Sequence, residues 1–189
     1  MTNIIWRLLF GGVIFFEILV WLELLPLTAT FTILGLIITQ SAAWLILEFV
    51  QSKLRRPYQW WIMSLVVLSM TLDMAGDLFH WYDSYFWYDA VLHFFGSSVA
   101  ALWVWNVFMI VYSKRAPHKL ILLAVFGLGI AMGVSYELEE YLEDYFTGSH
   151  RLGDAFDTGH DLLLNTVGVL CAIAIARFHA AHSRPSKPR

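Results

Sequence analysis

Apolar residues run along this chain in six long blocks, and polar residues crowd the breaks between them. The blocks cover roughly 4–25, 28–51, 59–81, 89–112, 119–144 and 158–179. Each is close to the roughly 20 residues that a helix needs to cross the hydrocarbon core of a bilayer. Pro26 divides the first block from the second, "KLRRP" (53–57) the second from the third, and "SKRAPHK" (113–119) the fourth from the fifth. Lipid offers backbone groups no hydrogen bonds, so spans of this kind must be helical. The pattern therefore predicts an all-α polytopic bundle of six transmembrane helices. It forms one domain over 1–181, followed by a disordered basic tail over 182–189.

Composition excludes the soluble alternative. The chain is 59% hydrophobic and only 14% charged, against roughly 45–50% and about 25% in soluble domains. The single cysteine, Cys171, lies in an apolar run, which excludes a disulfide framework. The first block is too long for the apolar region of a signal peptide and carries Glu17, so it is expected to remain as a span.

Charge then gives the blocks an orientation. Lys53, Arg55, Arg56, Lys114, Arg115, Lys119, Arg177 and the tail cations all fall on one side, with Arg7 near it. The positive-inside rule makes that side cytoplasmic and puts both termini there. All of the 15 carboxylates except Glu17 and Glu48 lie toward the other side, with His80, His93, His150 and His160, and Arg151 is the one fixed cation among them.

At 100° per residue these groups form stripes. Span three carries Asp73, Asp77 and His80 on one face, and span four stacks Asp89 over His93, continuing through Gly96 and Ala100. Span five carries Gly133, Glu137, Glu140 and Asp144, and span six carries Asp157, Asp161, Asn165 and Gly168. Three of the stripes run into small residues, which let membrane helices approach closely, so the stripes are expected to face one another. A carboxylate inside a span costs about 2.5–3.5 kcal/mol or more unless it is paired, protonated or wetted. One arginine cannot neutralise the set, which leaves shared protons, a water-filled vestibule or bound cations. Oxygen-rich ligand sets with a few imidazoles suit a divalent metal ion such as Zn, Mn, Fe, Mg or Ca, and inward-facing Glu and His on a bundle build two-metal carboxylate sites. The candidate ligand pool is Asp73, Asp77, His80, Asp89, His93, Glu137, Glu140, Asp157 and Asp161, with Glu137, Glu140 and His93 as candidates for catalysis.

Blander readings hold for the rest. Asp83, Glu139, Glu143 and Asp154 read as solvated residues of loops and helix ends, and Asp154 or Asp157 as a cap of the sixth helix. Asp89 could cap span four, leaving His93 a satisfied core histidine, and His150 reads as a loop bystander. The run "FHWYDSYFWYD" (79–89) reads as an interfacial aromatic lid.

The motifs "WYDAVLHFFGS" (87–97), "SYELEEY" (135–141) and "GDAFDTGHDLLLNTVG" (153–168) carry a family likeness. Through Tyr88, Asp89, His93 and Phe94, then Tyr136, Glu137 and Glu140, then Gly153, Asp154, Asp157, Thr158 and Asp161, the chain resembles the YjdF-like family of bacterial inner-membrane proteins. The likeness covers roughly 70–170, while Asp73, Asp77 and His80 rest on helical geometry alone. A more distant likeness to VanZ-like membrane proteins runs through Asn165 and Gly168. The resemblance implies a multi-pass protein of the bacterial inner (plasma) membrane.

Three functions compete. A metal-dependent hydrolase would act at the outer surface on a lipid-like substrate, although an anionic phosphate substrate would want Lys or Arg nearby, which the expected site lacks. A cation or proton transporter would need steps toward the cytoplasm, and Glu17 and Glu48 are the only central or inner candidates. An accessory membrane protein would use the acids as a structural metal site. Membrane lipids are the expected surroundings, and no nucleic-acid partner is expected.

Overall fold

Each apolar block forms one long helix in the computed structural model, which describes residues 2–113 and 115–182, with side chains over 4–113 and 115–178. The helices are α1 (Thr2–Trp21), α2 (Ile33–Leu54), α3 (Trp60–Leu78), the short α4 (Trp81–Ser84), α5 (Tyr88–Tyr112), α6 (His118–Thr147) and α7 (Ala155–His182). The described residues contain no strand. All but α4 are long and apolar enough to cross a membrane, with mean hydropathies from 1.4 to 2.0. Of the basic tail expected over 182–189, His182 is the last residue of α7 and 183–189 lie outside the described residues, as does Lys114.

Two boundaries differ from the hydrophobic pattern, for reasons of hydrogen bonding. The first helix stops at Trp21, and Glu23 takes a left-handed φ of 59°. The second starts only at Ile33, because the preceding residues bind the end of α3. The Phe31 N–H donates to Asp77 Oδ1 at 2.7 Å, and the Thr30 N–H and hydroxyl both donate to the Asp77 carbonyl at 3.0 Å. This knot closes the α1–α2 connection over the acidic end of the bundle.

The closest packing joins α5, α6 and α7, with α3 against α5 and with α1 and α2 on the flank. Glycines make it possible. A Cβ on Gly168 would collide with the Phe94 carbonyl oxygen, and one on Gly133 would stand 3.0 Å from Asn165 Cβ. Away from the acidic end the interior is mostly apolar, with Ile62, Ala101, Val125 and Val169 fully buried and Gln40 and Asn106 among the buried polar exceptions. Leu8, Leu45 and Leu123 are among the large apolar residues left exposed on the outside, as lipid-facing surfaces should be. At the basic end Arg7 forms a bidentate pair with Glu48, at 2.7 and 2.6 Å.

Candidate metal centre

The acidic stripes of α5, α6 and α7 converge on one imidazole. His93 is 4% exposed and is approached by carboxylates from three helices. Asp89 Oδ1 lies 3.5 Å from its Nε2 and Glu137 Oε1 lies 3.3 Å from its Nδ1, while Glu140 Oε1 and Asp161 Oδ2 each lie 3.9 Å from Nε2. These separations exceed the usual 2.7–3.2 Å of an N–H···O bond, and neither ring nitrogen has a hydrogen-bond partner among the described residues. Two overlapping sets, Asp89–His93–Asp161 and His93–Glu137–Glu140, each offer ligand atoms within 4.8 Å of one another. Such a constellation can hold a divalent ion.

Neighbouring side chains fix the ligands. Ser97 donates to Asn165 Oδ1 at 2.5 Å, and Asn165 Nδ2 donates to Glu137 Oε1 at 3.5 Å. Tyr136 sets its ring edge-on to His93, at 5.5 Å between centroids. The serines near the stripes are engaged as donors: Ser98 to the Phe94 and Gly168 carbonyls, and Ser135 to the Ala131 carbonyl. None of these three hydroxyls hydrogen-bonds His93.

Arg151 overturns the expectation of a site without cations. Its side chain is 4% exposed and lies 3.2 Å from both Asp73 and Glu140 and 4.0 Å from Glu143. It also donates to the Tyr136 hydroxyl at 2.5 Å and lies 5.2 Å from the Phe31 ring centre and 5.8 Å from that of Tyr82. Burial opposes its charge, but Tyr136, Asp73, Tyr82 and Glu140 hold its pKa well above the usual value. Asp144 delivers it. Rather than joining the site, Asp144 accepts from Ser149 Oγ (2.6 Å) and from the backbone N–H groups of Arg151 (2.6 Å) and Leu152 (3.0 Å). Gly148, at φ 71°, starts this turn by donating its N–H to the Asp144 carbonyl.

The remaining candidates occupy other places. Asp73 pairs with Arg151 and accepts from the Tyr82 hydroxyl at 2.7 Å. Asp77 is fully buried and holds Phe31, and His80 lies among Thr28, Thr30 and Asp83. Asp157 is exposed on the first turn of α7, beside the Asp154 side chain, which accepts from the Phe156 and Asp157 N–H groups as a cap. Asp89 lies within the first turn of α5, where Trp87 takes the cap position. Asp83 is exposed, but Glu143 is not a solvated residue. It is buried and accepts from the Thr32 hydroxyl, and the half-buried Glu139 accepts from Thr39 at 2.5 Å. The pattern carried one pointer to Arg151: a lone cation amid many acids has somewhere to go.

An apolar cavity of about 290 Å³ begins at Asp89, His93 and Tyr136 and runs inward to Trp103. Fully buried Glu17 on α1 has no hydrogen-bond partner for either carboxylate oxygen among the described residues.

Comparison with curated proteins gives no match, and neither does comparison with solved structures. Residues 8–182 match a family described as "Predicted membrane protein (DUF2238)", in agreement with the YjdF-like resemblance, while the VanZ-like likeness gains no support from it. This multi-pass chain, with its buried histidine among acids, therefore belongs to that family of membrane proteins of unknown function.

Proposed function

We propose that the His93 cluster is a divalent-metal centre and that the protein is a metal-dependent hydrolase acting on a lipid-like substrate. The observation that carries this reading is His93 itself: both ring nitrogens are buried and unpartnered among four carboxylates. Leaving buried polar atoms unsatisfied costs about 1–3 kcal/mol each, and a cation among them would remove that cost. The ligands are drawn from Asp89, His93, Glu137, Glu140 and Asp161, with Asp157 at the rim. Asp73, Asp77 and His80 serve the scaffold around them.

An ion held there would supply a Lewis acid and a water nucleophile at neutral pH. Whichever of Glu137 and Glu140 did not hold the ion would be placed to act as the general base. Arg151, one contact behind Glu140, offsets part of the acidic charge there and would lessen the repulsion of a developing anion. The site belongs to the outer face of a bacterial inner membrane, with both termini in the cytoplasm, and the whole bundle acts as one domain.

Elemental analysis of the detergent-purified protein tests this, beside a variant carrying Glu140→Ala and Asp161→Ala. Stoichiometric metal in the wild type, lost in a variant that still elutes as a folded species, supports the centre. Absence of metal in both, after incubation with Zn, Mn, Fe, Mg and Ca salts in turn, removes it. Cation or proton transport is the second reading, and the buried, unpartnered Glu17 is what favours it. The candidate at the basic end, Glu48, is held by Arg7, and flux into liposomes separates the two. An inert structural site, the accessory-protein reading, would bind metal and turn over no ester in a substrate screen.

A further inference from the structure

We infer that the cavity beside His93 holds a single hydrocarbon chain, taken sideways from the bilayer between α2 and α6, with the chain's polar end at the histidine cluster.

The dimensions point to a chain. Along α5 the lining runs from Asp89 to Trp103, about 21 Å at roughly 1.5 Å per residue. That is more than half of a hydrocarbon core about 30 Å thick. Its inner walls include Leu47, Val66, Val99 and Trp103, Ser69 and Ser97 lie partway along it, and its charged groups stand at the other end with Asp89 and His93. A volume of about 290 Å³ is at the small end of ligand pockets, which span roughly 300–1,000 Å³. It has room for one chain and not for the paired chains of a diacyl phospholipid. The apolar end gives water too few polar partners to be a stable occupant.

The route follows from how the helices are joined. Around His93, α5, α6 and α7 close on glycine and small residues. On the other side, α2 reaches α6 through the Thr32–Glu143 and Thr39–Glu139 hydrogen bonds. Two cavity-lining residues on these facing helices, Ile46 (57% exposed) and Met132 (39% exposed), also face the outside. A residue that lines a cavity and meets lipid at once marks a mouth. The two threonine–glutamate bonds lie toward the acidic end from that mouth and act as its latch.

The inference rests on the proposed metal reading only for what happens at the polar end of the chain, and the test separates the two. The full-length protein in detergent is labelled with a diazirine-bearing palmitate analogue, the attachment sites are mapped by mass spectrometry, and metal is measured on the same sample. Gly96→Leu provides the block. A Cβ at this cavity-lining position comes no nearer than 3.7 Å to a neighbour, Ser69 Oγ, so the added side chain extends into the space. Ala43→Leu blocks from α2 and takes its place if the first variant does not purify as a folded species.

The expected result is label on Ala43, Val99 and Met132 that is lost in the blocked variant while its metal content is kept. Cavity label in a metal-free wild type would uphold the chain site and overturn the hydrolase. Label confined to lipid-facing residues such as Leu45 and Leu123, unchanged by the block, would overturn the chain site whatever the metal content.

Discussion

Arg151→Met removes a guanidinium that stands between three carboxylates, Asp73 and Glu140 at 3.2 Å and Glu143 at 4.0 Å. Methionine replaces much of the buried stem, so the loss is mainly electrostatic. Breaking a buried pair by deleting one partner costs about 3–5 kcal/mol, because the other charge stays behind. The Phe31, Tyr82 and Tyr136 rings around the guanidinium lose a cation–π contribution that is part of the same loss. For a chain of this length about 2–4 °C of melting temperature accompanies each kcal/mol, which gives an expected fall of roughly 6–20 °C. Cys171, the sole cysteine and half-buried on α7, makes the assay simple. A thiol-reactive dye reports its exposure as the detergent-solubilised protein is heated. The second arm is Arg151→Met combined with Glu140→Gln, which removes one stranded charge and should recover a substantial part of the loss. A single variant melting within about 2 °C of wild type, or a double variant no better than the single one, would refute the account of Arg151 as a buried counter-ion.

The glycine contacts predict opposite signs at two positions. Gly168→Ala drives a methyl into the Phe94 carbonyl and should destabilise by about 1–3 kcal/mol, whereas Gly127→Ala meets nothing within 4 Å and should be neutral or stabilising by up to about 1 kcal/mol. The same dye assay reads both. Asp144→Ala releases the turn that carries Arg151, so limited trypsin digestion should cut after Arg151 in the variant and spare that bond in the wild type. Ser97→Ala strands Asn165, which steadies Glu137. If the cluster holds metal, its affinity should drop about 10–100-fold, the usual effect of losing an outer-shell partner, as read by competition with a chelating dye.

The spans were legible because lipid leaves a helix no alternative, so apolar length alone decides the element. Convergence of Asp89, His93, Glu137, Glu140 and Asp161 was legible too, since acids at helical spacing above small residues must face protein. Helical spacing misled where the backbone stops being helical. The α3 stripe ends at Leu78, and His80 adopts a left-handed φ of 56°, which turns it toward Thr28 and Thr30. Arg151 and the Asp144 turn belong to a loop, and periodicity carries no information about where a loop side chain goes. Glu143 went unrecognised for a related reason. Its partner Thr32 lies 111 residues earlier, at the start of α2.

That ordering along the chain has a consequence in time. Asp73 is made 78 residues before Arg151, which at about 5–20 residues per second is a delay of roughly 4–16 s. Throughout it Asp73 stands without the cation that it meets in the finished bundle. The hydrophobic helices can insert one after another, but the charge balance of the centre closes only when the last loop arrives. Biogenesis of this protein therefore reaches its site late, and a chain interrupted between α6 and Arg151 would hold Asp73, Glu140 and Glu143 without their cation, a natural target for membrane quality control.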